Sequence, residues 1–269
     1  MTVITFLTDF GLEDDFVGTC HGVIKRIAPG VEIVDITHGI SPQQILQGAV
    51  TLANTLPYMP EGVHLSIVDP TVGTERRPVA VRGADGRLHV GPDNGLLIPA
   101  LEQLGGIDAA WELANERYML TPVSRTFHGR DVFSPAAAHL SAGVDPAELG
   151  PPLDPAALVP LRIPEPEVRQ SLLCATILIV DRFGNLELNL TQEHAELAGI
   201  EPGSRVELRL PLERYYAVAA RTFGETRGGD LLLYEDSYGR LAVAVNGGNA
   251  ASMFQARPGD EVRITTVDE

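Results

Sequence analysis

"VITFLTDFGLEDDFVGTCHGVIKRIAP", residues 3–29, holds a strand, an acidic loop and a helix in that order. Residues 3–9 form a short apolar run rich in β-branched and aromatic side chains, which reads as a buried strand. From Asp15 the apolar residues recur at helical spacing, and Pro29 and Gly30 close the helix. The alternation continues outward. "VEIVDIT" (31–37) reads as a second strand. "SPQQILQGAVTLANTLP" (41–57) reads as a helix with Ser41 as N-cap and Pro42 as first helical residue. "VHLSIVD" (63–69) is a third strand, and "PVAVRGADGRLHVG" (78–91) a hairpin turning at Ala84, Asp85 and Gly86. "LLIPALEQLGG" (96–106) and "SPAAAHLSAG" (134–143) read as further helices. Strand–helix–strand order of this kind predicts an α/β domain with a central, mostly parallel sheet.

The texture changes at "GPPLDPAALVPLRIPEPEV" (150–168), where six prolines forbid a continuing helix or a central strand. The division expected is an α/β domain over 1–152, a proline-rich linker over 153–170 and a smaller β-rich domain over 171–269. In that last part "CATILIVD", "SRVELRL", "RYYAVAARTF", "DLLLYEDS", "RLAVAVN" and "DEVRITTV" are short β-rich runs separated by turn residues. They predict a small antiparallel barrel or sandwich.

A net charge of −16, with the arginines scattered, argues against nucleic acid as a partner and mildly favours cationic ligands. No run approaches the ~18–20 apolar residues of a membrane span. The N-terminus lacks a basic segment and a small-residue cleavage site, so no signal peptide is expected. Cys20 and Cys174 sit in apolar segments and read as buried free thiols. A cytoplasmic location is the expectation.

Ligands of open α/β sheets sit beyond the carboxyl ends of the strands. Asp9, Asp14 and Asp15 follow the first predicted strand, Asp69 ends the third, and His128 lies in "TFHGRDVFSP" before a helix. The fold therefore places Asp9, Asp69 and His128 near one rim. Each has a plainer reading. Asp9 serves equally as a turn residue, Asp14 and Asp15 suit the positive end of a helix, and Asp131 reads equally as a structural partner of Arg130 or of a backbone N–H. His38 reads as a turn histidine. His21, His64, His89, His139 and His194 show no metal-ligand spacing, and no metal is expected. An acid, a cation and an imidazole that converge suit metal-free chemistry on water. Asp69 with Arg76 holds a water at one lone pair and one proton, and His128 adds a hydrogen bond or carries a proton away. In the second half, Asp181, Phe183 and Asn185 end a strand, Ser237 lies in "EDSYG", and the Gly-rich "VNGGNAAS" (245–252) either reads a ring edge or is a plain turn.

Taken in order, "TDFG" with "DDF", "DITHGI", "VDPTVGTERR", "GPDNGLL", "TFHGRDVFSPAAAHL", "DRFGN" and "NGGNAA" resemble the S-adenosyl-L-methionine hydroxide adenosyltransferase family, relatives of the fluorinase and chlorinase. The resemblance spans nearly the whole chain. It implies hydrolysis of S-adenosyl-L-methionine to adenosine and L-methionine, with Asp69, Arg76 and His128 holding the water and with no cofactor. It implies Asp9 on the ribose hydroxyls, Asp14, Asp181 and Ser237 on the methionine end, and Asn185, Asn249 and Ala250 at the adenine, beside Phe183. It also implies a homotrimer with sites at subunit interfaces. The chain departs from the family at Thr71, where Gly follows the Asp-Pro, and at Gln43, where the fluorinase stacks a Trp. The fluorinase has Tyr at the place of Asp69 and Ser at that of Gly129. A halogenase, or a nucleoside-binding module without catalysis, is the alternative.

Overall fold

A computed structural model describes residues 3–210 and 213–267, in two compact units, Met1–Arg162 and Ile163–Glu269. In the first unit the strands are β1 (Val3–Thr8), β2 (Glu32–Thr37), β3 (Gly62–Ile67), β4 (Pro78–Gly83), β5 (Leu88–Pro92), β6 (Ile107–Glu112) and β7 (Pro152–Leu153). The helices are α1 (Phe16–Ile27), α2 (Ile45–Thr55), α3 (Ile98–Gln103) and α4 (Ser134–Ser141). One sheet has the order β2-β1-β3-β5-β4-β6-β7. The pairs β2–β1, β1–β3 and β3–β5 are parallel, and the rest are antiparallel.

Alternate residues of β1 enter two different cores. Ile4 and Phe6 pack with Val17, Cys20 and Ile24 of α1 and the alanines of α4. Leu7 packs with Leu52 and Ala53 of α2 and Leu101 of α3. A strand buried on both faces reads as a continuous apolar run, which is why "VITFLT" shows no alternation. The chain leaves β1 toward β2 on one side and then crosses to β3 on the other. The carboxyl ends of β1 and β3, paired in register at Thr8 and Ile67, thus flank the point where the sheet order reverses.

Two local expectations change. The second helix begins at Ile45, not at Pro42, and Ser41 is not its cap. Gln43 instead takes a left-handed φ of 66°, a conformation that ends any helical run through that point. The strand β6 was not among the runs read from the sequence, because Asp108 and Glu112 break up its apolar character. The proline-rich stretch is ordered. The backbone carbonyl of Ala157 accepts from Arg77 Nη2 at 2.5 Å, and Val159 N–H donates to Asp93 Oδ1 at 2.8 Å.

The second unit has strands β8 (Glu167–Arg169), β9 (Leu172–Val180), β10 (Leu186–Thr191), β11 (Arg205–Arg209), β12 (Arg214–Ala219), β13 (Leu231–Glu235), β14 (Arg240–Val245) and β15 (Glu261–Thr266). Short helices α5 (Gln192–Leu197) and α6 (Ala250–Phe254) lie between them. The order β10-β14-β13-β12-β11-β15-β9 closes through a β9–β10 pairing, so the unit is a seven-stranded barrel with β8 added to β9. Closure settles the choice between barrel and sandwich, and it removes the open edges that short strands would expose. One pair, β12–β13, is parallel, because the chain between them crosses over rather than turning back as a hairpin. Leu186, Leu188, Leu190, Val206, Leu208, Val243 and Ile264 fill the interior.

Candidate active site

Asp69 lies two residues beyond β3 and opens a turn in which Val72 N–H donates to the Asp69 carbonyl at 3.3 Å. The loop then returns through Arg76. Thr71 needs no positive φ, and its carbonyl accepts from Thr74 N–H and from the Thr74 hydroxyl at 3.2 and 2.7 Å. The left-handed conformation falls instead on Gly73, at φ 79°, where a Cβ would lie 2.3 Å from the carbonyl oxygen of Arg125. Only glycine allows this approach. It joins the Asp69–Arg76 loop to the loop that leads to His128.

Arg76 is the centre of the cluster. Its Nε donates to Asp69 Oδ1 at 3.2 Å, and its Nη2 donates to Asp69 Oδ2. Nη2 also lies 3.2 Å from His128 Nδ1. The Asp69 and Arg76 side chains are 7% and 5% exposed, and the guanidinium lies 5.2 Å from the Phe133 ring centroid. Arg76 Nη1 is buried with no hydrogen-bond partner among the described residues. A two-point fork of this kind fixes carboxylate and guanidinium in one plane. Burial and the Arg76 charge push the His128 imidazole below its ordinary value, so it is neutral at pH 7.

His128 immediately precedes a wide π-type turn, Gly129–Phe133. Asp131 anchors that turn. Its Oδ1 accepts from Arg130 Nε at 2.7 Å, and its Oδ2 accepts from Ser124 N–H at 2.8 Å. Burial pushes the Asp131 carboxyl up, but these hydrogen bonds outweigh it and hold the group below its ordinary value. Both structural partners weighed for Asp131 are thus present. A Cβ at Gly129 would meet Phe10 Cζ at 3.0 Å and Phe127 Cε2 at 3.2 Å. Phe10, Phe16 and Phe127 form an aromatic wall here, with ring centroids 5.0–5.9 Å apart.

Asp9, beyond β1, accepts the Gln43 N–H through Oδ2 at 2.9 Å. The unusual backbone at Gln43 therefore serves Asp9. Burial pushes the Asp9 carboxyl up, against the Gln43 hydrogen bond, and the Asp69 charge adds to the rise. The fold thus brings Asp9, Asp69, Arg76 and His128 to one rim. Asp14 is exposed on the loop before α1 and joins none of these hydrogen bonds.

In the barrel unit Asp181 organises a tight turn. Its Oδ1 accepts from Phe183 N–H at 2.8 Å and Asn185 N–H at 2.9 Å, and its Oδ2 accepts from Asn185 Nδ2 at 2.7 Å. Asp181, Asn185 and Ser237 line one groove of ≈ 400 Å³ with Arg221, Phe223 and Tyr234. Phe183 is 75% exposed. Gly184, at φ 85°, lies so close to Asn249 that a Cβ would fall 2.1 Å from its Cγ, and Ala251 N–H donates to the Gly184 carbonyl at 2.9 Å. Asn249 Oδ1 caps α6 by accepting from Ser252 N–H at 2.7 Å, and Ala250 is fully buried in the barrel core. The turn around Asp181 and the Gly-rich segment are thus one structure. Arg221, Phe223 and Tyr234 were missed in the sequence. Their only signal is a cluster of arginine and aromatic residues at strand ends.

Two family models match the chain, the SAM hydroxide adenosyltransferase N-terminal domain over residues 4–150 and the C-terminal domain over residues 175–263. The chain belongs to the SAM hydroxide adenosyltransferase family. Among its relatives in that family, an (R)-S-adenosyl-L-methionine hydrolase from Salinispora tropica is 47% identical, over 97% of both chains. A protein of the same name from Thermus thermophilus is 39% identical over 98% of this chain and 100% of that one. A fluorinase from an Actinoplanes species is 32% identical over 98% and 97%. A solved structure of an uncharacterized conserved protein from Thermotoga maritima superposes with TM-score 0.89 at 34% identity, over 97% of this chain and 99% of that chain.

Proposed function

We propose that this protein hydrolyses S-adenosyl-L-methionine to adenosine and L-methionine. The observation that carries this reading is Arg76, which joins Asp69 to His128 in one buried cluster. A water donating a hydrogen bond to Asp69 and held beside His128 is oriented for in-line attack on C5′. The C5′–S bond breaks as the O–C5′ bond forms, and its electron pair stays on sulfur. The sulfonium becomes the neutral thioether of methionine. The attacking water turns acidic as its bond to carbon forms, and its proton passes to Asp69, or through His128, to solvent. Positioning supplies the larger part of the acceleration, up to ~7–11 kcal/mol in well-oriented reactions. The leaving group is already activated by its charge, so the step uses no metal and no cofactor.

Asp9 is read as the ribose-hydroxyl acceptor, and Asp14, Asp181 and Ser237 as the methionine-binding groups. Asn185 and Asn249, with Phe183 beside them, are read as the adenine contacts; Ala250, implied there by the resemblance, is 0% exposed and is read as supporting Asn249 from the barrel core. Because Asn249 Oδ1 is engaged as a helix cap, its contribution falls to its Nδ2. The candidate residues divide between two units, which supports a homotrimer in which the two sets meet across subunit boundaries. The names of the relatives specify the (R)-sulfonium form, and this chain is read as acting on that epimer. Free thiols at Cys20 and Cys174 suit a cytoplasmic location.

A halogenase reading is disfavoured by the Asp69 carboxylate, which would repel a halide at the attack site, and by His128 beside it. It is also disfavoured by the aromatic wall that leaves Gly129 little room for a side chain. The test is incubation of the purified chain with each sulfonium epimer in ¹⁸O-labelled water, with chelator and chloride present. Adenosine labelled at the 5′ oxygen, alongside methionine, is the expected product. Unlabelled adenosine, a chlorinated nucleoside or binding without turnover defeats the reading.

A further inference from the structure

His21, Asp35 and His38 are separated by 14 and 3 positions, and no local motif joins them. The fold brings them together. His21 lies on α1, Asp35 on β2 and His38 just beyond the end of β2. His21 Nε2 is 2.9 Å from Asp35 Oδ1, and His38 Nε2 is 3.2 Å from the same oxygen. One donor atom from each residue lies within 4.8 Å of the other two. Phe6 packs against both imidazoles, with centroids 4.8 Å from His38 and 5.8 Å from His21.

His38 is 5% exposed, and its buried Nε2, aimed into the cluster 3.2 Å from Asp35 Oδ1, makes no aligned hydrogen bond among the described residues. Its other nitrogen, Nδ1, is 2.8 Å from Thr8 Oγ1. With Nδ1–H donated to that hydroxyl, Nε2 presents a lone pair. A metal-binding histidine has this tautomer and this kind of outer partner. A tetrahedral cation ~2.0–2.1 Å from each donor sets the donors about 3.3 Å apart. The two separations to Asp35 are already close to that value. His21 has a side chain 32% exposed, and its donor already lies within 4.8 Å of that of His38, so a small shift of the exposed ring closes the third.

We propose that His21, Asp35 and His38 form a binding site for one divalent transition-metal ion of the zinc class. Two imidazoles and one carboxylate are a donor set suited to zinc, with a fourth position left for water. The site shares no residue with the Asp69–Arg76–His128 cluster and takes no part in the displacement. Its effect is structural. The His38 carbonyl accepts from Gly11 N–H at 2.8 Å, and His21 belongs to the helix that follows the acidic loop. An ion there staples α1 to the end of β2 and restrains both ends of the loop that carries Asp9 and Asp14.

The experiment uses the full chain, first stripped with chelator, in equilibrium dialysis against Zn²⁺ and in a Co²⁺ titration read by visible absorption. The expected result is one ion per chain at micromolar free metal, with the intense bands of tetrahedral cobalt and a melting midpoint raised by Zn²⁺. His21→Gln and Asp35→Asn, at partly exposed positions, each weaken binding at least about tenfold and abolish the thermal shift. His139→Gln, outside the cluster, changes neither. Absence of stoichiometric binding in the unaltered chain overturns the proposal and leaves the trio as an ion-pair network. Equal binding by the unaltered chain and His21→Gln also overturns it.

Discussion

Strands β1 and β3 carry polar groups in two places, and the two differ in every respect that matters for chemistry. At the rim, Asp9 and Asp69 follow the strand ends, and the Arg76 fork holds Asp69 beside His128. Inside the sheet, Thr5, His64 and His89 form a row across β1, β3 and β5 in direct register. Thr5 Oγ1 is 2.8 Å from His64 Nδ1, and the two imidazoles are 5.0 Å apart. Both histidines are fully buried, and neither ring nitrogen of His89 has a partner among the described residues. Burial pushes His64 down to about 4 and His89 well below its ordinary value. A depressed imidazole therefore marks both places. Only the rim joins it directly to charged partners, through Arg76 and Asp69. Perturbation by itself does not make a site; charged groups that converge on the perturbed one do.

The sharpest way to break this comparison is at Asp69. Asp69→Asn keeps the shape but loses the charge that faces Arg76, and turnover is expected to fall about 10²–10⁴-fold, with little change in KM. Steady-state kinetics with single-turnover controls check this, and a change confined to KM would contradict the role assigned. Next in size is the buried row. The folded value of His64, about 4, lies below its unfolded value of 6.5. Between the two the unfolded chain binds the proton and the native chain does not, so stability falls as pH drops through that window. The loss is about 3 kcal/mol by pH 4. Urea unfolding at several pH values should show at least this slope, and His64→Leu should reduce it while His89 keeps its own share.

His128→Asn is expected to slow turnover about 10²-fold. Because burial and Arg76 hold His128 below its ordinary 6.5, activity should fall at acid pH through a value under 6.5 as the ring gains a proton and loses its acceptor. A pH–rate profile of the variant should lack that limb; an unchanged limb would assign the titration elsewhere. The smallest effect is expected from Thr5→Val. It removes the only hydrogen-bond partner of His64 among the described residues and should cost about 1 kcal/mol of stability, with kcat unchanged. A kcat defect there would mean that row and rim are coupled.

Much of the rim was readable in advance. Asp9 and Asp69 stand directly after apolar runs, and ligands gather at such ends for topological reasons. The Asp131 pairing was readable because its partner is adjacent. Gln43 was not: "SPQQ" carries a strong helix-start signal, and a hydrogen bond to a distant carboxylate overrode it. The closing strand β10 was also missed, since "LELNLT" reads as the tail of the Asp181 turn until β9 and β14 take it up on both sides. His21, Asp35 and His38 escaped because ligand spacing is a local signal, and theirs is set by the packing of α1 beside β2.

By itself the sequence determined most of the strands and helices, though not β6, β10 or the start of α2, that the chain has two kinds of architecture, and which side chains follow the parallel strands. Those depend on periodicity, turn chemistry and chain order, all of which are local. Only the tertiary structure supplies the reason that Arg76, the arginine named from the sequence, forks onto Asp69, while Arg77 turns to Asp93 at 2.9 Å. It alone closed the barrel and set Asn249 against Gly184. Neighbouring arginines are equivalent along the chain and become different only when a second segment, here the loop held by Gly73 against Arg125, fixes which of them faces the carboxylate.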